Sequence, residues 1–104
     1  MSKKQAIQEM TNILAVALRH KIGSIVNKEE IYAGKYAKDA EVLLKEAKKM
    51  AIKENWNIYD KTKIRQELLK KLKKELQEKN FIDDKKFEIM EIEMEKVLIN
   101  MELT

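Results

Sequence analysis

The side chains that most often act as nucleophiles, proton carriers or metal ligands are scarce in this sequence. Its 104 residues include one histidine, His20, two serines, Ser2 and Ser24, and no cysteine. A serine nucleophile needs a positioned base, and neither the Gly-x-Ser-x-Gly pattern nor a glycine-rich phosphate loop occurs in the chain. We therefore expect no enzyme activity and no cofactor, and no small-molecule substrate is evident.

Metal binding would have to rely on carboxylates, because zinc and iron sites draw on Cys and His side chains. Glu88, Glu91 and Glu95 lie at i, i+3 and i+7, so they share one face of a helix, and Glu93 is close by. Di-iron sites in helical bundles use Glu-x-x-His pairs, which this sequence lacks. We interpret the acidic row as a solvated helix face and expect no metal.

His20 lies in residues 18–26, LRHKIGSIV. This stretch resembles the phosphoacceptor box of sensor histidine kinases, in which a helical His is followed by an acid, an apolar residue, and later a Thr or Asn and a Leu. The matching positions hold Ile22, Ser24 and Val26. Lys21 stands where the family has its activating acid. The resemblance implies phosphotransfer at His20, whereas the alternative is a His placed at a helix C-terminus by the helix dipole.

A lysine-rich stretch, residues 61–79, is the best candidate for ligand binding. It carries eight basic and three acidic side chains, a net charge of +5. Side chains directed away from its leucine stripe would follow a phosphate backbone, with Trp56 and Tyr59 as stacking groups. The candidate nucleic-acid contacts are Lys63, Arg65, Lys70, Lys71 and Lys74.

The segment that follows opposes this charge. Residues 80–104 carry seven acidic and three basic side chains, a net charge of −4. Because the turn between the two segments is short, we expect them to lie side by side, within the Debye length of about 8 to 10 Å. Two interpretations stay open: the basic helix binds nucleic acid, or it pairs with the acidic helix.

The elements that position these side chains follow from apolar residues at helical spacing, punctuated by Ser, Gly, Asn and Asp. We predict helices over residues 3–22, 28–54, 61–79 and 83–101. Ser2 is the expected N-cap of the first helix and Gly23 its stop. Asn27 and Glu30 have capping-box spacing for the second. Short connections then predict an all-α fold, an antiparallel (up-and-down) four-helix bundle in one domain, residues 1–104.

Two segments leave details to be settled. In residues 83–101, Phe87 with Ile89 and Ile92 with Met94 also alternate like a strand, but the abundance of Glu and Met and the lack of Gly and Pro favour helix.

In the second helix, Gly34 costs up to ~1 kcal/mol relative to Ala. Because small residues recur on its face, we expect a neighbouring helix to approach closely there.

Apolar side chains exceed what one bundle-facing stripe requires. Residues 13–18 are apolar on every side, which predicts either a central helix or one that also meets a second subunit. We therefore expect a non-enzymatic protein that acts through protein–protein contacts, either as a homo-oligomer or as a small subunit or adaptor of a larger complex. The candidate protein contacts are Ile13, Val16, Ile89, Ile92 and Ile99.

The same stretch, residues 13–18, is the longest uninterrupted apolar run, with six residues. A bilayer span needs about 20, and a signal peptide also needs a longer apolar segment. We expect a cytoplasmic protein without a membrane partner.

Overall fold

The structure, a computed structural model, describes residues 2–26, 33–78 and 84–104, with the backbone alone for residues 84–86. This part of the chain is folded into helices without any strand, so the all-α prediction is confirmed and the last segment is a helix. The helices are α1 (Lys3–Val26), α2 (Ala33–Ala51), α3 (Ile58–Glu78) and α4 (Asp84–Asn100).

The helices form the up-and-down bundle that the short connections predict. Near the end of α1, His20 faces Asp39 early in α2, with 3.7 Å between Nδ1 and Oδ2. Trp56, hydrogen-bonded to Ala51 at the end of α2, lies beside Lys3 at the start of α1, so these two helices are antiparallel. An ion pair joins the beginnings of α1 and α3, Lys3 Nζ to Asp60 Oδ2 at 2.8 Å. A second, Arg19 to Glu75, joins their later turns, so α1 and α3 run parallel.

α1 is the central helix of the bundle. It packs most extensively against α2, then against α3 and least against α4. Of its apolar residues 13–18, helices of the same chain bury Leu14, Ala15, Ala17 and Leu18 and partly cover the other two. Of the two interpretations of this segment, the structure supports the central helix.

Two rows of side chains, each with a spacing of four residues, form the middle of the core. Residues four apart on a helix form a ridge that packs into the groove of a neighbour. Every member of both rows is at most 1% exposed. Full burial of one such side chain stabilises the fold by about 1.5–3 kcal/mol. The rows are Met10, Leu14, Leu18 and Ile22 in α1, and Ile64, Leu68, Leu72 and Leu76 in α3.

The predicted stop at Gly23 is wrong. α1 continues through this buried glycine to Val26, and no glycine in the described ranges has a positive φ. A C-terminal glycine stop requires the left-handed conformation, which Gly23 does not adopt. Burial of Ile22 on the same turn outweighs the weak helix propensity of glycine. The predicted N-cap is confirmed, because the Gln5 backbone N–H donates to Ser2 Oγ at 3.2 Å.

The ends of α2 and α3 also differ from the prediction. α2 ends at Ala51, and α3 begins at Ile58 because Asn57 caps it: the Asp60 N–H donates to Asn57 Oδ1 at 2.9 Å, and the Asn57 N–H donates to Asp60 Oδ2 at 3.1 Å. This reciprocal pair satisfies two free donors of the first turn. The proposed Asn27–Glu30 capping box lies outside the described residues.

Gly34 does not mark a close helix contact, contrary to expectation. It is exposed, and a Cβ atom added to it would meet nothing within 4 Å. The helix at this point therefore faces open space, and the small residue has no packing role.

α4 ends in a Schellman motif. The Leu103 N–H donates to the Leu98 carbonyl at 2.8 Å, and the Glu102 N–H donates to the Ile99 carbonyl at 3.1 Å. Glu102 has a φ of 57°, the left-handed conformation that normally favours glycine at this position. Leu103, 1% exposed, anchors the end of the chain in the core.

Candidate interaction surfaces

The outer face of α4, defined by Ile92 and Ile99, carries the most exposed of the predicted protein contacts. The two side chains are 54% and 63% exposed, and their spacing of seven residues places them almost in line along the helix. The opposite side of the helix is buried, with Met90 and Leu98 fully enclosed. α4 is therefore apolar on two sides, and only one of them belongs to the core.

One flank of this outer face is acidic. Glu88 and Glu91 are exposed, and Glu95 forms a bidentate ion pair with Arg65 of α3. The hydrogen bond from Arg65 lowers the pKa of Glu95, so this carboxylate is charged at neutral pH. Glu88 and Glu91 are solvated, as interpreted from the spacing, whereas Glu95 is half-buried and Glu93 is buried.

The remaining predicted protein contacts are partly covered by the fold. Ile13, Val16 and Ile89 are half-buried, and both Ile13 and Ile89 pack against the core. Of the five predicted protein contacts, Ile92 and Ile99 are therefore the two that offer most of a side chain to a partner.

The five predicted nucleic-acid contacts do not form one free surface. Lys63, Lys70 and Lys74 are exposed on α3, and Lys63 Nζ lies 3.4 Å from Glu67 Oε1 on the same helix. Arg65 is engaged with Glu95, the one ion pair among the described side chains that joins α3 to α4. Nucleic-acid binding stays a prediction that rests on the three exposed lysines.

Lys71 serves the interface between α3 and α1. Its Nζ donates to the Gln8 carbonyl at 3.1 Å, to Gln8 Oε1 at 2.9 Å and to Thr11 Oγ1 at 2.7 Å. Thr11 is fully buried and donates in turn to the Ile7 carbonyl. Burial lowers the pKa of Lys71, as expected for an ammonium withdrawn from solvent.

Trp56 closes the end of the bundle. Its Nε1–H donates to the Ala51 carbonyl at 2.8 Å, and its ring packs against the core with Lys3 Nζ 5.9 Å from the ring centroid. The Trp56 ring is therefore held by contacts within the fold, which does not suit the stacking role predicted for it. Tyr59, by contrast, is 82% exposed.

The environment of His20 links α1 to α2. Arg19 Nη2 lies 2.9 Å from His20 Nε2, and because arginine can only donate, Nε2 accepts and the neutral ring carries its proton on Nδ1. Nδ1 faces Asp39, while Tyr36 meets the ring edge-on at 5.6 Å. The helix continues past Gly23, so the glycine does not interrupt the stretch that resembles a phosphoacceptor box, but Lys21 pairs with Glu93 and supplies no acid.

A basic groove, defined by Lys21, Lys45, Lys48 and Lys96, lies where α1, α2 and α4 meet. It has a volume of about 200 Å³. Lys45 and Lys48 are three residues apart on α2, but Lys21 and Lys96 come from α1 and α4, and no sequence spacing relates them to that pair. The groove was therefore not predictable from the sequence.

Two further kinds of site, a metal centre and a membrane-spanning helix, have no candidate in the part of the chain that the structure describes. Residues 2–26, 33–78 and 84–104 contain no group of three or more His, Asp or Glu side chains arranged to hold a metal ion. None of the helices in these ranges combines the length and hydropathy that crossing a bilayer requires. Comparison with protein-family models, curated proteins and solved structures finds no match.

Proposed function

We propose that this chain is a non-enzymatic, cytoplasmic helical-bundle protein that acts through protein–protein contacts made by the outer face of α4. The observation that carries the proposal is the exposure of Ile92 and Ile99, two turns apart on a helix whose other side is buried. Because each side chain is already partly covered, covering the rest contributes about 1–2 kcal/mol per isoleucine. Apolar anchors seven residues apart on one helix face are typical of helices that dock through that face on a partner protein.

The charged side chains beside these isoleucines favour one kind of partner over the other. In an antiparallel symmetric pair of α4 helices, Glu88 and Glu91 of the two copies would face each other and repel. The exposed Lys96 on the other flank would likewise face its own copy. A basic amphipathic segment of another protein would cover the isoleucines and complement the glutamates together. We therefore favour the subunit or adaptor role over the homo-oligomer.

The test uses the full chain and a synthetic amphipathic helical peptide with leucines on one face and lysines on the other. Titration into the 15N-labelled protein is expected to shift amide resonances of α4, and an Ile92→Ser/Ile99→Ser variant is expected to lose the interaction. Val42→Ser is the matched control, because Val42 is 61% exposed on α2. Binding that survives the double substitution, or that Val42→Ser reduces equally, would overturn the proposal.

Light scattering coupled to size exclusion distinguishes the two kinds of partner, a second copy of the chain and another protein. A monomer at high concentration supports a foreign partner. A dimer that Ile92→Ser/Ile99→Ser dissociates would overturn the choice of a foreign partner in favour of a second copy of the chain.

A further inference from the structure

We propose that the basic groove binds the phosphate group of a small phosphorylated molecule with a short apolar portion. This site is separate from the outer face of α4 and does not depend on the function proposed for that face. The groove forms because α2 and α4 both pack on α1 but make little contact with each other, which leaves a recess between them.

The positive charge of the groove is not neutralised within the fold. Lys21 Nζ lies 2.8 Å from Glu93 Oε2, and Lys96 Nζ lies 3.3 Å from Glu93 Oε1, so these two ammonium groups share one carboxylate. Lys45 and Lys48 are exposed and form no ion pair with any described side chain. Four ammonium groups and one carboxylate leave a net charge of +3 around one recess.

Such an arrangement costs the free protein stability, since like charges gathered on a surface repel one another. An anion with two negative charges removes this repulsion. Lysine ammonium groups bind phosphate as mobile point charges, and they do not require the planar geometry that arginine imposes on its partner. The four side chains reach the recess from three directions, which suits the tetrahedral oxygens of a phosphate better than a planar carboxylate.

The lining of the groove indicates which chemical group is attached to the phosphate. Leu44, Val97 and Met101 supply apolar surface, and the Asn100 side-chain amide supplies a neutral donor and acceptor. Sites for drug-sized ligands occupy about 300–1,000 Å³, more than the 200 Å³ present here. The groove therefore fits a phosphomonoester of a short apolar alcohol better than a nucleotide, most of which would extend beyond it.

The test is a calorimetric and NMR titration of the full chain with phenyl phosphate, inorganic phosphate and phenol. Phenyl phosphate is expected to bind saturably, with a Kd below about 1 mM and about tenfold tighter than inorganic phosphate, and phenol is expected not to bind. Amide shifts should centre on Val97, Asn100 and Met101. Absence of saturable binding by phenyl phosphate overturns the proposal.

Matched charge variants locate the site. Lys45→Gln/Lys48→Gln is expected to weaken phenyl phosphate binding about tenfold or more, and Lys70→Gln/Lys74→Gln, which removes the same charge from α3, is expected to change it little. Both pairs are exposed, so both variants should fold. Equal weakening by the two variants would show attraction by net charge alone and overturn the assignment, whereas Ile92→Ser/Ile99→Ser should leave phosphate binding intact.

Discussion

The Nζ atom of Lys21 in α1 lies 2.8 Å from Oε2 of Glu93 in α4, and this carboxylate is almost completely enclosed by the protein. Burial acts to raise the pKa of Glu93, but the ion pairs with Lys21 and Lys96 lower it below its ordinary value of 4.5. A lowered carboxyl pKa stabilises the fold above the unfolded-state value, and this stabilisation is lost as pH falls through the folded-state value.

Lys21→Met is therefore expected to reduce the free energy of unfolding at pH 7 by about 2 kcal/mol, since it leaves a buried carboxylate with one weaker partner. The loss should shrink as the pH falls from 4.5 through the lower folded-state pKa of Glu93, below which the carboxyl is protonated in both states. Urea unfolding of both proteins across this pH range measures it. Lys63→Met, which removes the exposed lysine of an i, i+4 pair with Glu67 on α3, should cost less than about 0.5 kcal/mol, and equal losses would contradict the prediction.

Glu102→Gly is expected to stabilise the protein by about 1 kcal/mol, because it relieves the left-handed backbone of a residue with a Cβ atom. Its φ of 57° identifies the strain. Chemical denaturation compares the variant with Glu102→Ala, which retains the Cβ atom and should gain nothing. A similar gain from alanine would assign the effect to the glutamate charge.

Gly34→Ala is expected to raise the free energy of unfolding by up to about 1 kcal/mol. The new methyl group meets no atom within 4 Å, so the gain comes from the reduced backbone entropy of the unfolded chain. Ala37→Gly, at an exposed position of the same helix, should cost a similar amount. Thermal and urea unfolding test the pair, and a loss from Gly34→Ala would mean that the glycine has a role in packing.

Trp56→Phe is expected to destabilise the bundle by about 1 kcal/mol, because the carbonyl of Ala51 loses the hydrogen bond from the indole. Equilibrium unfolding followed by circular dichroism measures the loss. Tyr59→Phe serves as the control, since this exposed side chain should contribute less than about 0.5 kcal/mol. Equal effects of the two substitutions would rule out a structural role for the indole N–H.

The order and type of the helices are predictable from the sequence because local periodicity and caps such as Ser2 decide them. Gly23 and Gly34 show where that reasoning fails. A glycine favours a helix stop or a close contact only when its surroundings agree, and those surroundings come from other parts of the chain. Gly23 stays in a helix that is held by burial, and Gly34 faces solvent.

The interaction surfaces were predictable to different degrees. Ile92 and Ile99 stand out because they fall off the core stripe of a single helix, which sequence periodicity detects. Lys71 carried no signal of its inward direction, because its hydrogen-bond partners, Gln8 and Thr11, lie about sixty residues earlier in the chain. The basic groove likewise depends on helix packing, since Lys21 and Lys96 are distant in sequence.

The unequal packing of the other helices on α1 has a consequence for motion. α4 makes the least contact with α1, so separating it from the bundle exposes less surface than global unfolding does. Proteins open by such cooperative units, each with its own free energy. Native-state hydrogen exchange should show α4 amides exchanging through an opening that leaves α1 protected. A ligand in the recess between α2 and α4 would oppose this opening, so it would slow exchange throughout α4, even at amides it does not touch.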